Sequence, residues 1–180
     1  MGGVTDVYLF RAVNVGGTAK LPMADLRALA TELGATDVRT YIASGNLLCT
    51  PPGDPGAFAD ELRAAVRLRY GFDREVLHRT PAQLRDALLE HPLDVDDPAR
   101  SYVTFLDAVP AAAAVDAAQA VESGDDEWAV VGDHLHVRFA QGAGKATLST
   151  DRLLRALDVV GTARNLRTVA QLETRAGEAP

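Results

Sequence analysis

One succession of elements is written twice along this chain. Apolar runs, helical stripes and breakers read strand–helix–strand–strand–helix–strand over residues 7–78, and the same order returns over residues 102–164. A βαββαβ unit is the ferredoxin-like plan. The expected fold is therefore α+β: two tandem ferredoxin-like (βαββαβ) subdomains joined by a short connector helix. Residues 1–80 would form subdomain 1, residues 81–98 the connector helix and linker, and residues 99–180 subdomain 2 with a C-terminal helix. The repetition lies in element order, not in sequence identity between the halves.

The local signals behind this reading are specific. Residues 7–13 are nearly all apolar apart from Arg11, which suits a strand covered on both faces. Pro22 opens a helix carrying Leu26, Leu29, Ala30 and Leu33 at helical spacing, and Gly34 closes it. Residues 38–42 and 47–49 read as strands joined at Ser44-Gly45-Asn46. Asp54-Pro55 starts a second helix with Phe58, Leu62, Ala65, Val66 and Arg69 on one face and Gly71 at its end, and residues 75–78 form a fourth strand. Thr80-Pro81-Ala82-Gln83 has the form of a capping box. In the second half, residues 102–106 predict a strand and residues 110–121 an alanine-rich helix. Residues 128–131 and 134–139 predict a hairpin across Gly132-Asp133. Ser149 would cap a helix with Leu153, Leu154 and Leu157, residues 161–164 form a last strand, and Asn165 or Thr168 opens a final helix.

Composition narrows the function classes. The one cysteine, Cys49, excludes an intramolecular disulfide and a cysteine-based zinc site. No apolar run approaches the roughly 18 residues of a membrane span. The N-terminal residues 1–6 lack the basic and apolar regions of a signal peptide. Met1-Gly2 resembles a myristoylation start, yet alanine and arginine are abundant and Lys20 and Lys145 are the only lysines, a bacterial pattern. The expectation is a soluble, cytoplasmic, bacterial protein without a cofactor. The formal net charge of −7 is concentrated in the middle, where residues 86–133 carry Arg100 as their only lysine or arginine. Such a segment repels a nucleic-acid backbone, and its simplest reading is a solvated surface.

Several constellations bear on chemistry. Arg11 ends an apolar strand, where a guanidinium needs either an anionic ligand or an internal carboxylate. Asn14-Val15-Gly16-Gly17, followed by Lys20 and a helix start, has the form of a phosphate cradle, although a double glycine is more often only a turn. Ser44-Gly45-Asn46 offers a hydroxyl, an open backbone and an amide, but Ile42 stands where a nucleophile elbow requires glycine; a tight turn is the simpler reading. Gly142-Ala143-Gly144-Lys145 fails both phosphate-loop templates, since Phe139, Ala146 and Thr147 stand where they need other residues. His134, His136 and Arg138 alternate with Leu135, Val137 and Phe139 and so share one strand face, expected to be solvated, with no third metal ligand nearby. Trp128 is expected in the core or at an interface between subdomains. Arg164-Asn165 at a strand end mirrors Arg11.

Three ordered blocks, Phe10-Arg11-Ala12-Val13-Asn14-Val15-Gly16-Gly17, Pro22-Met23-Ala24-Asp25-Leu26-Arg27 and residues 37–46 through Ser44-Gly45-Asn46, together resemble a bacterial family known as domain of unknown function 1697. Thr104-Phe105-Leu106, Thr162-Ala163-Arg164-Asn165 and Thr168-Val169 extend the resemblance to about Leu172. The family pattern has Arg-Gly-Ile-Asn at residues 11–14, glutamine at Ala43, Ser-Lys-Leu-Thr at residues 146–149 and tryptophan at Leu166. Arg11, Asn14, Gly17, Ser44, Asn46, Arg164 and Asn165 keep the pattern. The resemblance implies two ferredoxin-like subdomains and no activity.

Three functional readings follow. The first is a small anionic ligand, a nucleotide or phosphorylated metabolite, bound at the junction of the two halves. Arg11, Asn14, Gly16, Gly17, Lys20, Ser44, Gly45, Asn46, Arg164 and Asn165 would line the site, with catalysis unassigned, since Ser44 has no general base identifiable from spacing. The second is a non-enzymatic interaction or regulatory module in which these residues are structural. The third, single-stranded RNA binding on a ferredoxin-like sheet, ranks last because the aromatic signature is missing. No membrane partner is expected, and the oligomeric state is not legible.

Overall fold

A computed structural model describes residues 5–178; the N-terminal start discussed above falls partly on residues 1–4, outside the described residues. The chain is a mixed α/β protein with two four-stranded antiparallel sheets and, among the described residues, six α-helices. It divides into two units, Met1–Leu84 with Leu172–Pro180, and Arg85–Gln171.

In the first unit the order is β1 (Asp6–Phe10), α1 (Met23–Glu32), β2 (Thr36–Thr40), β3 (Asn46–Thr50), α2 (Pro55–Tyr70) and β4 (Val76–Arg79). The sheet runs β2-β3-β1-β4 with every neighbouring pair antiparallel. Tyr8, Phe10, Leu47 and Cys49 face α1 and α2, where Leu26, Leu29, Phe58, Leu62 and Val66 close a core. Val7, Leu9 and Leu48 point to the other face and are also buried, so the apolar run in β1 is covered on both sides as its composition requires. Asp54 caps α2 through Ala57 N at 2.8 Å, and Gly71 ends it in the left-handed region at φ +75°. Arg69, expected on the buried face, instead reaches out to Glu32 at 2.7 Å; its stem lies at the edge of that stripe and its charge stays in solvent.

The second unit repeats the order: β5 (Ser101–Leu106), α4 (Ala112–Ala118), β6 (Glu127–Val131), β7 (His134–Arg138), α5 (Thr150–Leu157) and β8 (Gly161–Asn165). Its sheet runs β6-β7-β5-β8. The hairpin turns at Gly132-Asp133 with Val131 opposite His134, and Ser149 caps α5 through Arg152 N at 3.3 Å. Leu106, Leu135, Val137, Leu153, Leu154 and Leu157 form its core, with Trp128 packed against it. Two further helices follow the sheets, α3 (Pro81–Leu89) after β4 and α6 (Leu166–Gly177) after β8. The capping box at α3 is formed in both directions: Thr80 N donates to Gln83 Oε1 at 2.9 Å and Gln83 N to Thr80 Oγ1 at 3.2 Å.

Three expectations are corrected. The first strand stops at Phe10 rather than residue 13, because Ala12 and Asn14 have positive φ (48° and 56°) and leave the ladder. The alanine-rich helix spans only Ala112–Ala118; residues 119–121 close it with tighter i to i+3 bonds. His134 and His136 do not lie on a solvated face. Both are buried, at 6% and 0% exposure, beside Val103 and Phe105.

Candidate functional site

The loop between β1 and α1 is the most contorted backbone in the first unit. Ala12, Asn14, Gly16, Gly17 and Ala19 all have positive φ, a conformation that costs a non-glycine residue of order 1 kcal/mol or more. Gly16 and Gly17 occupy the centre of a turn in which Thr18 N donates to Val15 O at 3.3 Å, and positive φ at both central positions is what this turn demands. One side chain holds the loop together. Asn14 Nδ2 donates to Leu21 O at 2.8 Å and to Ala43 O at 2.7 Å, while its Oδ1 accepts from Leu21 N at 2.7 Å. The amide thus ties both ends of the loop to each other and to the turn between β2 and β3.

That turn is equally determined. Asn46 is fully buried and donates to Tyr41 O at 2.9 Å and Ser44 Oγ at 3.0 Å, and Phe10 N donates to Gly45 O at 2.9 Å. Gly45 sits at φ +80°, and a Cβ there would lie 2.5 Å from Val13 Cγ2 and 2.8 Å from Phe10 Cβ. Only glycine satisfies both the dihedral and the contact. Arg11, just past β1, places Nη1 3.3 Å from Glu75 Oε2, with the two side chains 36% and 30% exposed. It is therefore engaged by an internal carboxylate while keeping access to solvent.

These ties shape a cavity of about 450 Å³ against the start of α1. Gly17, Thr18, Lys20, Leu21 and Pro22 are among the residues that line it. Met23 brings the first turn of α1 to its edge, where the leading N–H groups of a helix have no intrahelical partner. The helix's own acidic residue is turned away, since Tyr70 Oη donates to Asp25 Oδ2 at 2.6 Å.

In the second unit, Arg164 is buried and donates through Nη1 to Thr162 Oγ1 and Ala163 O, each at 2.8 Å. Burial pushes its pKa down to about 10, which still leaves it charged at neutral pH. Asn165 Oδ1 accepts from Thr168 N at 2.8 Å and so caps α6. Ala143–Lys145 form a single 3-10 turn after Gly142, with Lys145 at its end.

Sequence reasoning overlooked three features here. Asp126 accepts from Ala140 N, Thr147 N and Leu148 N at 2.8–3.0 Å and pins the loop before α5. His91 Nδ1 lies 2.8 Å from His136 Nδ1, so that one neutral ring donates and the other accepts. Burial and the neighbouring His91 and His134 push His136 down to about 4. Among the described residues no cluster of three or more His, Cys, Asp or Glu is arranged to hold a metal ion. Finally, a cavity of about 330 Å³ opens on the helix side of the second sheet.

A mixed α/β protein of two antiparallel four-stranded sheets, with one cavity at the β1–α1 loop and another on the helix side of the second sheet, is the class these features define. A family model matches residues 4–136, and the chain belongs to that family, described as protein of unknown function (DUF1697). The match covers the β1–α1 loop and the Ser44-Gly45-Asn46 turn and ends before Arg164. The conserved bacterial protein SP0830 from Streptococcus pneumoniae has a similar structure, with a TM-score of 0.69 at 20% identity over 96% of this chain and 98% of that one. At that identity the likeness carries the fold alone. No curated protein matches the chain. No helix among the described residues is long and apolar enough to cross a membrane.

Proposed function

We propose that this protein binds a small anionic ligand, a nucleotide or phosphorylated metabolite, at the β1–α1 loop of its first unit, and that each unit is a ferredoxin-like module serving as scaffold. The strand orders β2-β3-β1-β4 and β6-β7-β5-β8, each within a βαββαβ succession, support the scaffold reading. The observation that carries the ligand reading is the 450 Å³ cavity where Lys20 meets the first turn of α1. A cavity of this volume lies within the range of small-molecule sites. Lys20 supplies a cation, and the first N–H groups of α1 supply donors along a helix dipole that favours negative charge. Leu21, Pro22 and Met23 supply an apolar surface for the rest of the ligand.

Within this reading the residues divide by task. Lys20, Gly17 and Thr18 face the ligand, and Asn14, Ser44, Gly45 and Asn46 fix the loop and turn that hold them. Arg11, tethered by Glu75, stands next to the loop and offers a second cation when an anion competes for it. Arg164 and Asn165 keep structural duties within the second unit. No reaction is assigned.

Thermal unfolding of wild type and Lys20→Ala with inorganic phosphate, AMP and glucose 6-phosphate tests the reading. Lys20 is exposed, so its truncation leaves the fold intact. A ligand at 100 times its Kd adds about 2.7 kcal/mol to native stability. The expected result is stabilisation of wild type that is lost in Lys20→Ala. Equal stabilisation of both proteins, or none in wild type, overturns it and favours the interaction-module reading.

A further inference from the structure

The cavity beside the β1–α1 loop is lined largely by apolar surface. Leu21, Pro22 and Met23 supply it where the loop runs into α1, and Ala43 supplies it from the turn before β3. The polar side chains of the lining are occupied by the protein itself, with one exception. Asn14 donates both amide hydrogens to backbone carbonyls, Leu21 O and Ala43 O. The Thr18 hydroxyl donates to Val15 O at 3.4 Å. Lys20 is the exception: among the described residues it has no hydrogen-bond or ion-pair partner, and its side chain is exposed.

Apolar groups also flank the lining. Val15 follows Asn14 and Ile42 precedes Ala43, and both of these apolar residues are half exposed. The bond from Asn14 Nδ2 to Ala43 O draws their two segments together. Ile42 holds φ +49°, an outlier for a β-branched residue, and strain of this kind clusters at ligand clamps. Arg11, the cation at the start of the loop, is engaged by Glu75. The cavity thus offers one unengaged charge and a hydrocarbon lining.

We propose, resting on the anion reading above, that the ligand is a phosphate monoester whose organic part is a hydrocarbon the size of one or two rings, rather than a sugar or a nucleoside. The phosphate pairs with Lys20, and the hydrocarbon lies on Leu21, Pro22, Met23 and Ala43. A sugar in that place sets its hydroxyls against apolar side chains and against polar ones whose hydrogens are already donated. A hydroxyl that leaves water without a partner is costly. A diphosphate or triphosphate brings further negative charge to a place with one unengaged cation. Sugar phosphates therefore bind through the phosphate alone, and a hydrocarbon adds to it. Burial of roughly 60 Å² of apolar surface corresponds to about tenfold in affinity, and a buried aromatic ring supplies more.

Inorganic phosphate, glucose 6-phosphate, phenyl phosphate and phenol titrated into the full-length protein, followed by the backbone amide NMR shifts of Gly17, Thr18 and Lys20, test this. Phenyl phosphate is expected to bind about tenfold or more tighter than each of the other three. Ala43→Asn and Met23→Gln each bring an amide into the lining, the first at an exposed position and the second at a half-buried one, so both fold. Each should weaken phenyl phosphate several-fold and leave glucose 6-phosphate unchanged. Equal affinity for phenyl phosphate and glucose 6-phosphate overturns the hydrocarbon assignment and leaves the anion reading standing. So does a pair of variants that weaken both ligands alike or neither. No saturable shift with any phosphate, or phenol binding as tightly as phenyl phosphate, overturns the two together.

Discussion

Arg79 and Arg164 hold the same place in the two units. Arg79 lies opposite Val7 and Arg164 opposite Val103, both are 7% exposed, and each donates Nη1 at 2.8 Å to the carbonyl of the residue before it. The residues that follow them also correspond, since Thr80 caps α3 and Asn165 caps α6. The repeat is thus βαββαβα, with a buried arginine and a polar cap marking the end of each sheet.

The two caps should behave alike. Thr80→Ala and Asn165→Ala each leave an N-terminal N–H of a helix unpaired, at a cost of about 1 kcal/mol. Urea unfolding of the two variants should show midpoint shifts of similar size with unchanged slope.

Asn14→Ala removes three hydrogen bonds at once from the β1–α1 loop. The loop is partly open to water, which replaces some of what is lost, so the expected cost is about 2 kcal/mol. The same variant should lose anion-dependent stabilisation even though its side chain only positions the loop. A normal anion response in a folded Asn14→Ala would remove Asn14 from that role.

Gly45→Ala and Gly17→Ala separate strain from crowding. Both glycines have positive φ, but only Gly45 meets neighbouring atoms within 3 Å of a built Cβ. Gly17→Ala should cost about 1 kcal/mol. Gly45→Ala adds an overlap with Val13 and Phe10 and should cost 1–3 kcal/mol more, on the order of a forced core overpacking. Thermal unfolding of the two variants side by side checks the difference.

The buried histidine pair makes stability depend on pH. His136 is held at about 4 in the native state, below the ordinary value near 6.5. As pH falls from 6.5 to 4 the unfolded chain takes up this proton and the native chain does not, so native stability decreases, by about 3 kcal/mol in all. His91, also lowered by burial, acts in the same direction. Asp6, raised by burial, acts in the opposite one. His136→Leu should therefore flatten the loss between pH 6.5 and 4, measured by urea unfolding at each pH.

The pieces of this fold that are local were legible in the sequence. Thr80 with Gln83, Ser149, Asp54-Pro55 and Gly132-Asp133 each determine a cap or a turn through atoms a few residues apart, and each forms as read. The length of α4 was not legible, because alanine propensity says where a helix is allowed and not where packing stops supporting it. The alternation of His134 and His136 showed that they share a face. Whether that face is covered depends on residues far away in the chain, and here it is buried. Asn14 and Asn46 were read as candidate ligand contacts; in the structure the Asn14 amide bonds Leu21 O in its own loop and Ala43 O in the next turn, and the Asn46 amide bonds Tyr41 O and Ser44 Oγ within its own turn.

The last stretch of the chain belongs to the unit that the first stretch begins. Residues from Leu172 onward are grouped with β1 to β4, where the Arg175 carbonyl accepts from Arg39 Nη2 at 3.1 Å and its guanidinium lies 4.7 Å from the centre of the Tyr41 ring. During synthesis on a ribosome, the sheet of the first unit emerges well before the helix residues grouped with it. A chain stopped after Gln171 breaks α6 midway and takes from the earliest-made portion the residues that Arg39 and Tyr41 meet, so a cut near one end of the sequence is felt near the other.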